Sequence, residues 1–163
     1  MSTADFLLLP LSAEEREHIA TLAAHGETAR SACIDALKYV QSRHGWVNDA
    51  QLAAIAALLG MSAAELDSVA TFYNLIFRKP VGKHVIFLCD SVSCWIMGRE
   101  RVAAQLQHRL GISPGETTQD GDYTLLPIVC LGHCDHAPAM LIDETLYGDV
   151  DAAQLDTIFG PRA

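Results

Sequence analysis

Four cysteines carry the densest chemistry in this sequence. Cys89-Asp90-Ser91-Val92-Ser93-Cys94 and Cys130-Leu131-Gly132-His133-Cys134 form two pairs, with four and three residues inside them and 35 between them. Thiols in such an arrangement close disulfides, grip a zinc ion or hold an iron-sulfur cluster. Structural disulfides do not persist in a reducing cytosol, and the N-terminus carries no secretory pattern. A four-thiolate zinc site seats its pairs on tight knuckles, and the present gaps are at the loose end of what it uses. A 2Fe-2S rhomb takes two thiolates on each iron, and wider gaps let each loop span two ligand directions. The cluster therefore fits better, with zinc as the alternative.

The intervening residues suit a cluster. Gly132 can take a positive φ and bring neighbouring amides toward sulfur. Ser91 and Ser93 carry hydroxyls able to donate to sulfur, although filling a turn is the simpler role for each. His133 and His136 invite comparison with Rieske centres, in which two histidines replace two cysteines on one iron. With a full set of four cysteines present, they read instead as loop histidines facing solvent. Asp90 and Asp135 each directly follow a cysteine, a place equally suited to shifting a potential and to capping a turn. The fifth cysteine, Cys33, lies on a helical face and reads as packing.

Strands must deliver these loops. His84 to Leu88 precedes the first pair and Tyr123 to Ile128 precedes the second, which puts the thiols at strand-to-loop exits. A helix is expected from about Ile96 through Val102, Leu106 and Leu110 to Gly111. Ser113-Pro114-Gly115 and Gln119-Asp120-Gly121-Asp122 are turns. A strand over 139–142, a turn at Asp143-Glu144, a short strand at Leu146-Tyr147 and a helix capped by Asp151 come next, with Leu155, Ile158 and Phe159 inward. The order β-α-β-β-β-α describes an open sheet covered by two helices.

The first half is helical. Ser12-Ala13-Glu14-Glu15 and Ser62-Ala63-Ala64-Glu65 are capping boxes, and Asn48 caps a helix running through Leu52, Ile55 and Leu59 to Gly60. Thr28 is expected to begin another, with Ala32, Ala36, Leu37 and Val40 at helical spacing. Four short amphipathic helices make a small bundle. Arg78-Lys79-Pro80-Val81-Gly82 reads as a boundary, giving a helical bundle over 1–80 and an α/β domain over 81–163. Trp46-Val47 and Phe72-Tyr73-Asn74-Leu75-Ile76-Phe77 offer more apolar surface than a small bundle needs. A docking face and a packed core or seam explain this equally well.

Composition sets the outer bounds. The chain has 163 residues, half of them hydrophobic, and a formal charge of −9. Nucleic acid is excluded as a partner, because phosphate binding requires clustered basic residues. Residues 1–80 carry six basic against nine acidic side chains, and residues 81–163 carry five against eleven. The acidic half holds the cysteine pairs, and negative surroundings push a reduction potential down. Phe6-Leu7-Leu8-Leu9-Pro10 is too short for a signal-peptide core, and no apolar run approaches the roughly 20 residues of a membrane span. The chain reads as cytosolic, with docking on a membrane complex still open to it.

The two cysteine motifs, Leu125-Leu126-Pro127 before the second of them, Pro138 after it and Val69-Ala70-Thr71-Phe72-Tyr73 upstream together resemble the thioredoxin-like 2Fe-2S subunit of respiratory NADH:quinone oxidoreductase, bacterial complex I. The likeness runs from the helix at Ala13 through the last helix. It implies a helical bundle followed by a thioredoxin-like 2Fe-2S ferredoxin domain, with Cys89, Cys94, Cys130 and Cys134 ligating one cluster. It implies a one-electron carrier that catalyses nothing alone and is held against a larger flavoprotein subunit binding NADH and FMN. Other peripheral-arm subunits would complete the assembly, on the cytoplasmic side of the inner membrane without direct insertion. Similar subunits serve NAD-linked formate dehydrogenases and bidirectional hydrogenases, and a stand-alone thioredoxin-like ferredoxin is a further alternative.

Overall fold

Short-range capping chemistry sets the helical half in the computed structural model, which describes residues 10–160. Of the run from Phe6 to Pro10, only Pro10 falls inside that range. Helix α1, Ala13–His25, opens with the Ser12 hydroxyl accepting from the Glu15 amide at 3.2 Å while the Glu15 carboxylate accepts from the Ser12 amide at 2.7 Å. The same reciprocal pair forms between Asn48 and Gln51 at the start of α3, Asp49–Leu58, and between Ser62 and Glu65 at the start of α4, Ala63–Phe72. Each box satisfies amides that a helix leaves unpaired at its start.

Thr28 departs from expectation. Its hydroxyl caps nothing; its carbonyl accepts from the Ser31 amide and hydroxyl, and the chain makes a 3-10 turn, Ala29–Ala32, before α2, Cys33–His44. Gly45, at φ 80°, then ends α2 in the left-handed region. Ile19, Leu37, Val40, Ile55, Leu59 and Leu66 form the core of this half, and Cys33 packs partly buried against it. Among the described residues, no single helix is long and apolar enough to cross a membrane. Helices α3 and α4 are apolar but meet at 112°, and they bury Leu52, Ile55, Leu66 and Ala70 in that core.

The chain divides into two compact units between Pro80 and Val81. The second unit holds β1, His84–Cys89; α5, Val92–Ile96; α6, Arg99–Leu110; β2, Tyr123–Ile128; β3, Met140–Ile142; β4, Thr145–Tyr147; and α7, Ala152–Phe159. The sheet order is β2-β1-β3-β4, with β1 and β2 parallel and the other pairs antiparallel. From Val85 onward β1 is buried throughout, as its central place requires. Ile86, Leu88, Leu106, Leu125, Met140 and Leu155 make the core between sheet and helices. The Asp151 carboxylate caps α7 by accepting from the Gln154 amide at 2.8 Å.

The helix expected from about Ile96 is α6, which starts at Arg99 after Gly98 at φ 102°, outside the helical region, and α5 is a further short helix that precedes it. The strand expected from Ala139 starts at Met140, and the Ala139 carbonyl just before it still accepts from the Cys89 amide at the end of β1.

Candidate metal centre

Parallel pairing carries both cysteine segments to one end of the sheet. Cys89 closes β1 directly opposite Ile128, the last residue of β2, and the Asp90 amide bonds the Ile128 carbonyl at 2.7 Å. Two loops therefore leave neighbouring strands side by side, at the carboxyl ends where open α/β sheets collect their ligands. The placement differs in detail from four strand-to-loop exits. Cys94 is carried on helix α5, buried to 1 %, and Cys134 opens a short 3-10 turn, Cys134–His136. Cys89 is also buried, whereas Cys130 and Cys134 are exposed, and none of the four is in a disulfide.

Backbone amides are aimed at these sulfurs. Gly132, at φ 73°, turns its own amide onto Cys130 Sγ at 3.3 Å. Around Cys89 stand the amides of Leu131 and Ser91 and the side chains of Cys94 and Ser91, all favouring its thiolate. Burial opposes ionisation of Cys89, but these donors together outweigh it and hold the thiol below its ordinary value. Burial pushes Cys94 upward. The Ala139 amide acts against that, while the bond to Cys89 and the negative charge of Cys89 and Cys134 add to it, so Cys94 keeps its proton longer. The two segments thus meet: Leu131 reaches the first pair from the second loop, and Cys134 acts electrostatically on Cys94.

The flanking groups have defined partners. Arg99, mostly buried, stands 3.4 Å from Asp90 and 2.8 Å from Glu100. His136 pairs with Asp149 at 2.7 Å and its ring lies 4.8 Å from that of His133, with Asp135 within 4 Å of both. These histidines form an ordered acid-base cluster, more structured than loop side chains simply facing solvent. Gly148 lies beneath it: a Cβ there would stand 2.5 Å from His136 Cβ and 2.6 Å from His133 Nε2. Ser91 stands at the start of α5 and makes no side-chain capping bond there.

Sequence reasoning missed the surface beside the site. Helix α5 exposes Val92, Trp95 (63 %) and Ile96 (70 %), with Met97 just beyond it, and Val129 next to Cys130 is 74 % exposed. The signal was the crowding of four large apolar residues within six positions around Cys94, which a core helix does not need. In the helical unit Phe72, Tyr73 and Leu75 are exposed, while Val47 and Ile76 are buried and Trp46 is partly so.

The donor set fits a cluster of iron and sulfide: four thiols, two per segment, with amide donors directed at sulfur to offset the charge of thiolate. Among the described residues, no three His, Cys, Asp or Glu side chains converge closely enough to share one metal ion. That requirement belongs to a single ion; a two-iron unit takes thiolates in pairs at its two ends.

Fold and site together define a small α/β domain with a paired-cysteine centre, following a helical unit in the chain. Residues 19–161 match the family described as thioredoxin-like 2Fe-2S ferredoxin, and the chain belongs to that family. It is 51 % identical over 140 residues to the E-type subunit of NADH-quinone oxidoreductase from Pseudomonas aeruginosa, covering 86 % of this chain and 84 % of that one. It is 54 % identical over 134 residues to the same subunit from Escherichia coli strain K12, covering 82 % and 81 %. A crystal structure of an NAD+-reducing NiFe hydrogenase in the H2-reduced state matches with a TM-score of 0.68 and 26 % identity over 78 % of this chain. This chain spans about a fifth, 21 %, of that hydrogenase chain.

Proposed function

We propose that this chain is the one-electron carrier of the NADH-oxidising module of an NADH:quinone oxidoreductase, with Cys89, Cys94, Cys130 and Cys134 ligating one 2Fe-2S cluster. The observation that carries the reading is the meeting of two cysteine pairs at one end of adjacent parallel strands, with amides aimed at their sulfurs. Such a cluster takes up and returns one electron and offers no open position to a substrate. The protein's own residues bind, seat and shield it. The buried Cys89 and Cys94 and the exposed Cys130 and Cys134 would hold it, and the amides of Ser91, Leu131 and Gly132 would stabilise negative charge on sulfur.

The isolated chain then catalyses nothing, and activity belongs to the assembly. We assign FMN and NADH to a partner flavoprotein subunit, docked on the apolar surface of Val92, Trp95, Ile96, Met97 and Val129 beside the exposed cysteines. Residues 1–80 and 81–163 are proposed as separate domains, the helical one offering Phe72, Tyr73 and Leu75 to other subunits. The whole would sit peripherally on the cytoplasmic side of the inner membrane. The equivalent place in an NAD-linked hydrogenase or formate dehydrogenase is the second reading, favoured by the hydrogenase match. Identity above 50 % to two subunits of quinone-linked enzymes, against 26 % to the hydrogenase, favours the quinone-linked complex.

Electron paramagnetic resonance of the co-purified assembly tests this. NADH should raise a one-electron signal from this chain only when the flavoprotein is present, and dithionite should raise it from the chain alone. A chain reduced by NADH without any partner would overturn the assignment of FMN and NADH to a separate subunit.

A further inference from the structure

Counted singly, the charges at the cysteine end of the sheet are mostly negative, but water screens them unequally. The carboxylates of Asp90, Glu100, Asp135 and Asp149 are all half or more exposed. Asp149 faces His136, and Asp135 lies within 4 Å of both His133 and His136. Arg99 is different. Its side chain is only 12 % exposed, and its Nε is closed off from solvent without a hydrogen-bond partner, 3.4 Å from an Asp90 oxygen. Nη1 of the same guanidinium meets Glu100 at 2.8 Å. The positive φ of Gly98 starts α6 at Arg99, and the Arg99 side chain reaches Asp90, which lies inside the Cys89–Cys94 pair. Asp90 is held in turn, its amide bonding the Ile128 carbonyl at 2.7 Å. A charge that arginine never loses is thus fixed beside the loop carrying the two buried cysteines.

We infer that Arg99 raises the readiness of the centre to accept an electron, because its guanidinium is screened less by water than the carboxylates around it. The inference rests on the proposed cluster and names a residue that acts on it without ligating it. Uptake of one electron, from the partner's flavin or from a chemical reductant, adds one negative charge at the sulfurs and irons. A buried cation nearby favours that form, since attraction weakens as the dielectric constant between charges rises. The exposed carboxylates oppose it weakly, being screened by water and salt. The acidic excess of residues 81–163 therefore overstates how far the potential is pushed down.

The test is a redox titration, followed by electron paramagnetic resonance, of the full cluster-loaded chain as wild type, Arg99→Gln, Arg99→Lys and Glu100→Gln. Arg99→Gln should lower the equilibrium constant for one-electron reduction about tenfold, the size of a unit charge acting across roughly 10 Å at an effective dielectric constant of about 20. Arg99→Lys, which keeps the charge, should stay within about threefold of the wild type. Glu100→Gln, at an exposed site, should move it by no more than about threefold. Raising salt from about 0.05 to about 0.5 M should leave most of the Arg99→Gln difference in place, as a buried charge escapes that screening. A midpoint of Arg99→Gln equal to or above that of the wild type, at wild-type visible absorption, would overturn the inference. Should Arg99→Gln alone fail to hold a cluster, Asp90→Asn is compared with Asp90→Asn combined with Arg99→Gln, which leaves no carboxylate unpaired inside the loop. The combined variant should again be the harder to reduce, and equal midpoints would overturn the inference. A wild-type chain with no signal at all on reduction would instead overturn the cluster assignment, so the two failures are distinct.

Discussion

Ser62 and Ser91 are both helix-starting serines, but only Ser62 caps its helix. Three residues after Ser62 stands Glu65, which completes a capping box and also meets Arg30 at 2.5 Å. The Ser62 amide, then Arg30 and the Ser62 hydroxyl, hold the Glu65 carboxyl down at about 2. A carboxyl lowered on folding contributes stability that is present above its ordinary value of 4.5 and is lost as pH falls toward about 2. Glu65→Gln should therefore flatten the fall in thermal midpoint across that window, while leaving the midpoint's slope at neutral pH unchanged. Ser62→Ala should cost about 1 kcal/mol by denaturant unfolding. Glu15 is set in the same way but inside the core, with its carboxylate 2.6 Å from His44 Nε2 and 2.7 Å from the Ser12 amide. Both boxes were readable in the sequence because a cap involves partners only three residues apart. The uncapped start of α5 at Ser91 was not.

Elements show the same division between near and far. The starts of α1, α3, α4 and α7 and their caps followed from local pattern. The break at Gly98 did not, because a glycine inside an apolar run is compatible with a continuous helix until tertiary packing demands a positive φ. Nor did the segment after α4 declare its anchoring. The Gln41 side chain donates to the Leu75 carbonyl at 2.9 Å and accepts from the Phe77 amide at 2.6 Å, and Arg78 binds the Val47 carbonyl, Asp67 at 2.8 Å and Asp49 at 2.6 Å. Arg78→Ala removes the donor to a carbonyl and frees the segment, and should cost about 1 to 3 kcal/mol in chemical denaturation. Gly148→Ala should be felt next to the cysteines. Its methyl group meets atoms of the His133 and His136 side chains, so we expect about 1 to 3 kcal/mol of destabilisation and displaced histidine resonances by NMR. On α5 the outcome should be reversed. Trp95→Ala, at an exposed site, should move stability by no more than about 0.5 kcal/mol but weaken capture of the flavoprotein in a pull-down at least tenfold.

At the scale of the whole molecule, each unit has its own hydrophobic cluster, and the sequence announced this through the change from helical periodicity to alternating strands around Pro80. The α/β class, the order of elements and the two cysteine motifs were legible for the same reason: each depends on residues close in the chain. Which strands lie side by side was not, and that pairing is what brings Cys89 and Cys130 to one end of the sheet. The exposed apolar surface at that end is likewise a property of the fold, since Val129 joins Trp95 and Ile96 only through it. We propose that the partner flavoprotein buries this surface.

Iron and acid-labile sulfide analysis, combined with electron paramagnetic resonance of the reduced full chain, tests the central claim most directly. We predict about two irons and two sulfides per chain with one unpaired electron on reduction, retained in Cys33→Ala and lost in the alanine variants of Cys89, Cys94, Cys130 and Cys134. A colourless chain carrying zinc, or a cluster that survives loss of any of those four thiols, would contradict it.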